Sequence, residues 1–174
     1  MKSKALKPAL SGLFLALALL LPFLTAADPK IGNMFLPMHL PVMLCGFICG
    51  PVWGLAAGLF APLLRSLLFS APMLFPTAIA MSFELATYGA ICGLIYNRLS
   101  KGIGSVYITL ITAMLVGRAV WGIASALLYT LAGNSFGFEL FLSGALFSAV
   151  PGIVIQLIII PPIVVLITKY AKKK

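Results

Sequence analysis

Apolar stretches of about 20 residues, the length needed to cross the hydrocarbon of a bilayer, follow one another along nearly the whole chain. No other feature restricts the fold as much. Between Pro8 and Thr168 the only charged side chains are Asp28, Lys30, Arg65, Glu84, Arg98, Lys101, Arg118 and Glu139. Lipid offers no hydrogen bonds to a backbone, so each such stretch must satisfy its own amides and carbonyls as a helix. The chain is 62% hydrophobic and 9% charged, well outside the range of soluble domains. It reads as an all-α integral membrane protein: a single membrane domain over residues 1–174, built as a bundle of six transmembrane helices. The expected helices cover about 8–25, 35–49, 52–69, 76–97, 105–131 and 143–168, which leaves no length for a soluble domain.

The charge pattern orients the bundle. Of the 12 basic residues that give a net charge of +9, Lys2, Lys4, Lys7, Arg98, Lys101, Lys169, Lys172, Lys173 and Lys174 cluster at helix ends. Under the positive-inside rule these are cytoplasmic flanks, which places both termini in the cytoplasm and the loops near 28–36, 70–75 and 133–142 outside. Basic residues gathered at membrane edges argue against a nucleic-acid partner. The N-terminus imitates a secretory signal, with lysines, an apolar run and Leu24-Thr25-Ala26-Ala27, but it opens a polytopic chain and is read as a retained helix. The three cysteines lie within apolar runs and suggest neither a disulfide framework nor a metal site; Cys45 and Cys49 share a helix face without a third ligand.

One hairpin organises the candidate site. The run from Met38 to Pro51 places the only histidine, His39, between Pro37 and Pro41 at the mouth of a short membrane segment. It turns at Gly50-Pro51 and returns along an apolar helix to Arg65. Because the segment 35–49 is short, the charge bias is equally compatible with two full crossings or with a re-entrant hairpin.

Ionisable groups within a bilayer cost roughly 2.5–3.5 kcal/mol each on insertion scales, so each needs a reason. Glu84 and Arg118 both fall in the outer half of their helices at about matching depth, where they either hold a polar substrate or neutralise each other. Arg65, about one turn from the outer end of its helix, reads as a site residue or as a side chain snorkelling to the interface. Tyr88 and Trp121 lie one turn from Glu84 and Arg118 and read either as core aromatics, the commoner role at this spacing, or as the floor of a cavity. Asn134 in an outer loop and Gln156 midway along the last helix are the uncharged polar candidates, and Phe35 is a stacking candidate near the mouth. These nine residues, with His39 among them, form the expected substrate-binding set.

Small residues give a separate signal, either of packing within the bundle or of a strip on which a partner docks. Gly12 and Ala16 form a small-xxx-small pair on the first helix, extended by Ala5 and Ala9, and such a stripe admits another helix backbone at close range. No phosphate-binding loop, zinc-protease motif, nucleophile elbow or acidic metal cluster occurs in the sequence, and three acidic residues leave little for acid-base chemistry. The chain is therefore expected to have no catalytic residues, no metal and no cofactor.

The runs Leu40 to Gly54, Gly58-Leu59-Phe60-Ala61-Pro62-Leu63-Leu64, and Pro76-Thr77-Ala78 through Glu84-Leu85 and Gly89 to Tyr96 resemble the substrate-binding components of energy-coupling-factor (ECF) vitamin transporters. The resemblance implies a six-helix protein of the bacterial plasma membrane that binds a vitamin near its outer face. It also implies partners: a transmembrane coupling subunit, docked on an Ala-x-x-x-Ala motif of the first helix, and two cytoplasmic ATPase subunits. Ala5 and Ala9 match that motif literally but lie very early, whereas Gly12 and Ala16 sit deeper with glycine substituted. The Met38-His39-Leu40-Pro41 entry is most similar to members assigned to pantothenate, a carboxylate that Arg118, Arg65 or His39 would meet by charge-assisted hydrogen bonds. Aromatic vitamins or a cobalamin precursor (riboflavin, folate, pyridoxine or ribazole types) stay open on this pattern, as do a non-catalytic membrane scaffold and, last, an integral-membrane enzyme.

Overall fold

The computed structural model describes residues 5–25, 34–133 and 149–172, and these are helical almost throughout. In chain order the elements are α1 (Leu6–Leu20), a 3-10 turn (Leu21–Thr25), α2 (His39–Cys49), α3 (Pro51–Phe69), a wide turn (Leu74–Ala78), α4 (Ile79–Arg98), α5 (Ile103–Leu131) and α6 (Val150–Lys172). Five helical segments are long and apolar enough to cross a membrane: Leu6–Leu24, Pro51–Phe69, Leu74–Arg98, Ile103–Leu131 and Val150–Lys169. Their outer surfaces agree with that solvent. Val52, Leu67, Leu115, Ile123, Leu127, Leu131 and Ile158 are all more than 60% exposed, a display of apolar surface that water would not tolerate and lipid does.

The remaining helix, α2, departs from the expected 35–49. Leu36 has φ 49, and the His39 amide donates to the Leu36 carbonyl at 3.1 Å, so a turn occupies the expected first residues and His39 opens the helix. Pro41 then falls in the first helical turn, where its missing amide would have had no partner. At 11 residues α2 is about 16 Å long, roughly half the hydrocarbon thickness. Smaller shifts occur elsewhere. The fourth helix starts at Ile79 rather than near 76, after a wide turn in which Phe75 is extended and the Ala78 amide reaches back to the Met73 carbonyl. The expected start of the last helix at 143 lies outside the described residues, and its end extends to Lys172.

Glycines set the register of the central helices. A Cβ on Gly54 would strike the Gly89 carbonyl, one on Gly58 the Leu85 backbone, and one on Gly93 the backbone of Gly50 and Pro51. These contacts run α3 antiparallel to α4 with the two backbones touching, the close approach that small residues permit in lipid. Gly46 of α2 meets Gly89 and Cys92 further along α4. α2 and α4 therefore run side by side in the same direction, and the Gly50 turn, with φ 101, lies beside Asn97 near the Arg98 end. Around this glycine seam Met43, Phe47, Cys92, Tyr96, Leu110, Ile160 and Val164, from α2, α4, α5 and α6, form the core.

Candidate functional site

Helical spacing places the polar groups of α4 on one face. Glu84 and Tyr88 are one turn apart, and the Tyr88 hydroxyl donates to Glu84 Oε1 at 3.0 Å. α5 brings Arg118 to the same oxygen, Nη1 to Oε1 at 2.9 Å. From the start of α2, His39 Nε2 stands 3.7 Å from Glu84 Oε2, beyond hydrogen-bonding reach, and its ring lies 5.4 Å from that of Tyr88. Glu84 is 1% exposed and His39 2%, and the Arg118 side chain is 13% exposed. The matching depth expected of Glu84 and Arg118 is thus realised as a direct ion pair, and His39 and Tyr88 join it. In a low-dielectric interior neither charge would be tolerable alone.

Room for this cluster comes from a residue that sequence reasoning missed. A Cβ on Gly117 would collide with the Tyr88 ring. Glycine at this position lets the ring lie on the α5 backbone with its hydroxyl on Glu84. A lone glycine in an apolar helix carries no sign of such a role, because the partner ring is known only once α4 and α5 are aligned.

The ion pair leaves donors over. Among the described residues, Nε and Nη2 of Arg118, both ring nitrogens of His39, the Gln156 amide nitrogen, Ser125 Oγ and, nine residues before Arg118, Thr109 Oγ1 are buried without a hydrogen-bond partner. Buried polar groups in folded proteins are nearly always satisfied by protein or by ordered water, so the atoms around Arg118 mark a place where a further polar partner would fit. Ser125, also missed, follows Arg118 by two helical turns on the same face, a spacing that would have marked it.

Gln156 belongs to the same level by register. The Tyr96 and Thr168 hydroxyls, 3.2 Å apart, join α4 to α6 near one end of the bundle. At the other end Gly152 packs against the Met34 and Phe35 backbone, where a Cβ would come within 2.9 Å of the Phe35 carbonyl. The two helices therefore run in the same direction. Twelve residues before Tyr96 and Thr168 stand Glu84 and Gln156, each about 18 Å along its helix from that hydroxyl contact. Gln156 is 2% exposed. Trp121 lies beside Arg118, its ring centroid 5.9 Å from the guanidinium carbon. Phe35, 42% exposed, borders this level through its backbone. Asn134 falls outside the described residues.

Arg65 makes a different set of contacts. It follows Gly58, which faces Leu85, by seven residues and so stands about 10 Å further along α3 than the ion pair. Rather than snorkelling outward, it is 4% exposed and turned toward α1. Nη1 donates to the Leu19 carbonyl at 2.7 Å, and the guanidinium lies 4.9 Å from the Phe23 ring centre and 5.6 Å from that of Phe69. The reason is local: α1 tightens into a 3-10 turn at Leu21, where the amide three residues after Leu19 would belong to Pro22, which has none. Arg65 supplies a donor to that carbonyl.

On α1 itself, Ala5, Ala9, Gly12 and Ala16 are all exposed, and a Cβ on Gly12 would meet nothing within 4 Å. The small-residue stripe therefore faces away from the bundle. Cys45, Cys49 and Cys92 are buried free thiols, and among the described residues no group of histidine, cysteine and acidic side chains is placed to hold a metal.

Comparison with known proteins gives one family. The model for the ECF transporter, substrate-specific component, matches residues 7–164. No curated protein matches the chain.

Proposed function

Because this chain belongs to the family of substrate-specific components of ECF transporters, we propose that it is the high-affinity vitamin-binding subunit of an ATP-driven importer in a bacterial plasma membrane. It is a multi-pass membrane protein and, as a member of this family, a transporter subunit rather than a catalyst. The proposed division of labour leaves ATP hydrolysis to two cytoplasmic partner subunits and transmission of that work to a transmembrane coupling subunit.

The observation that carries the binding role is the buried layer of His39, Glu84, Tyr88, Arg118 and Gln156, in which charge is paired yet several donors remain unmatched. A purely structural ion pair would be expected to exhaust its donors, since each orphan costs about 1–3 kcal/mol. Trp121 and Phe35 supply apolar and aromatic surface at the borders of the layer. Among vitamins, pantothenate is the first choice, on the likeness of the Met38-His39-Leu40-Pro41 entry to members assigned to it.

The test is native mass spectrometry of the gently purified chain together with binding assays over a panel of water-soluble vitamins. Retained or re-bound pantothenate is the expected result. Retention of another vitamin would replace pantothenate and keep the binding role; binding of none would end it.

A further inference from the structure

Resting on the vitamin-binding reading above, we infer that the ligand carries a carboxylate which the Nε–Nη2 edge of Arg118 receives side-on, while Nη1 stays on Glu84. A guanidinium presents its donors in fixed directions, and the Nε and Nη2 hydrogens point in parallel along one side, spaced to meet the two oxygens of a carboxylate. Arg118 gives Nη1 to Glu84 Oε1 at 2.9 Å, and those two other nitrogens are the ones that remain buried without a partner among the described residues. The edge best suited to a bidentate acceptor is thus the edge left over.

Glu84 is held in turn by the Tyr88 hydroxyl at 3.0 Å, so the guanidinium plane is oriented before any ligand meets it. Glu84 and Tyr88 are then positioning residues, and Arg118 is the one that touches the ligand. The fork would also accept a phosphate, but a phosphate monoester brings nearly two negative charges to a layer whose one arginine is already shared with Glu84. A carboxylate brings one. Its charge meets further polar groups at the same level: the Gln156 amide and the His39 ring, both of whose nitrogens lack a partner. Arg65, committed to the Leu19 carbonyl and two aromatic rings about 10 Å away along α3, is not the recipient.

The inference is tested on the full-length chain in detergent, by calorimetry or tryptophan fluorescence. Pantothenate, biotin and nicotinate are each compared with a neutral analogue lacking the carboxylate: pantothenyl alcohol, biotin amide and nicotinamide. At least one acid should bind at least about 30-fold more tightly than its neutral counterpart, as expected of a site built around a specific hydrogen-bonding group. Arg118→Lys keeps a positive charge for Glu84 but has no fork, and should shrink that gap to within about 3-fold while the neutral analogue's affinity holds. Equal binding of acid and analogue, a gap unchanged in Arg118→Lys, or binding only of a vitamin without a carboxylate would overturn the carboxylate and leave the vitamin-binding role standing. Failure of every vitamin to bind would remove both. Should Arg118→Lys not fold, the acid-to-analogue comparison on the native chain decides alone.

Discussion

Glu84 serves three neighbours with two oxygens: Oε1 accepts from Arg118 and Tyr88, and Oε2 faces His39. Such a pair is worth little against a well-packed apolar replacement, but breaking one half leaves a buried charge alone. Glu84→Gln is therefore expected to destabilise the bundle by about 3 kcal/mol, seen as a lower unfolding temperature in detergent, and Glu84→Gln/Arg118→Met should recover most of the loss. If the double variant were no more stable than the single one, the pair would not be carrying the effect. Gly117 offers a second test at this scale. Gly117→Val should displace the Tyr88 ring and abolish ligand binding, with stability partly restored by Tyr88→Ala, which vacates the space. A Gly117→Val chain that binds normally would show that the ring is free to move.

Among the elements, α2 and α1 differ most from simple membrane rods. α2 begins at the level of the ion pair and ends at the Gly50 turn beside Asn97, so His39 comes from the first turn of a half-length helix rather than from a continuous crossing. That placement ties the histidine to the depth at which the helix starts. α1 is held to α3 by Arg65 through the Leu19 carbonyl and the Phe23 and Phe69 rings, which meet edge to face at 4.9 Å. Arg65→Met should loosen this end of α1 without disturbing the binding layer: faster hydrogen exchange over residues 17–23 and a ligand affinity changed by less than about 3-fold. A large loss of affinity with unchanged exchange would instead place Arg65 at the ligand.

For the whole molecule, the two surfaces are separate. The proposed binding layer lies among α2, α4, α5 and α6, whereas the exposed stripe of Ala5, Ala9, Gly12 and Ala16 lies on the outward side of α1 and the residue that caps it. We therefore expect Gly12→Leu/Ala16→Leu to abolish co-purification with the coupling subunit and its ATPases while ligand affinity is retained, since bulk on that stripe would hold another backbone away. Loss of binding and of assembly together would show that the stripe packs within the bundle. Intact assembly would move the docking surface elsewhere, with Ala5 and Ala9 the next positions to change.

Hydropathy and charge were enough, without a structure, to establish a helical membrane bundle, because lipid demands long apolar runs and makes every intramembrane charge conspicuous. That is why Glu84, Arg118 and His39 stood out in the chain, and why the helix depths of Glu84 and Arg118 could be matched in advance. Helix rotation and the start of α2 were not legible: they follow from where Gly54, Gly58 and Gly89 let backbones touch and from the turn at Leu36. Tertiary packing alone decided that Tyr88 rests on Gly117, that Arg65 serves the Leu19 carbonyl, and that Arg118 spends one nitrogen on Glu84 and keeps two. An apolar helix has nearly the same composition on every face, so its sequence carries depth well and direction poorly; direction is settled only when neighbouring helices close around it.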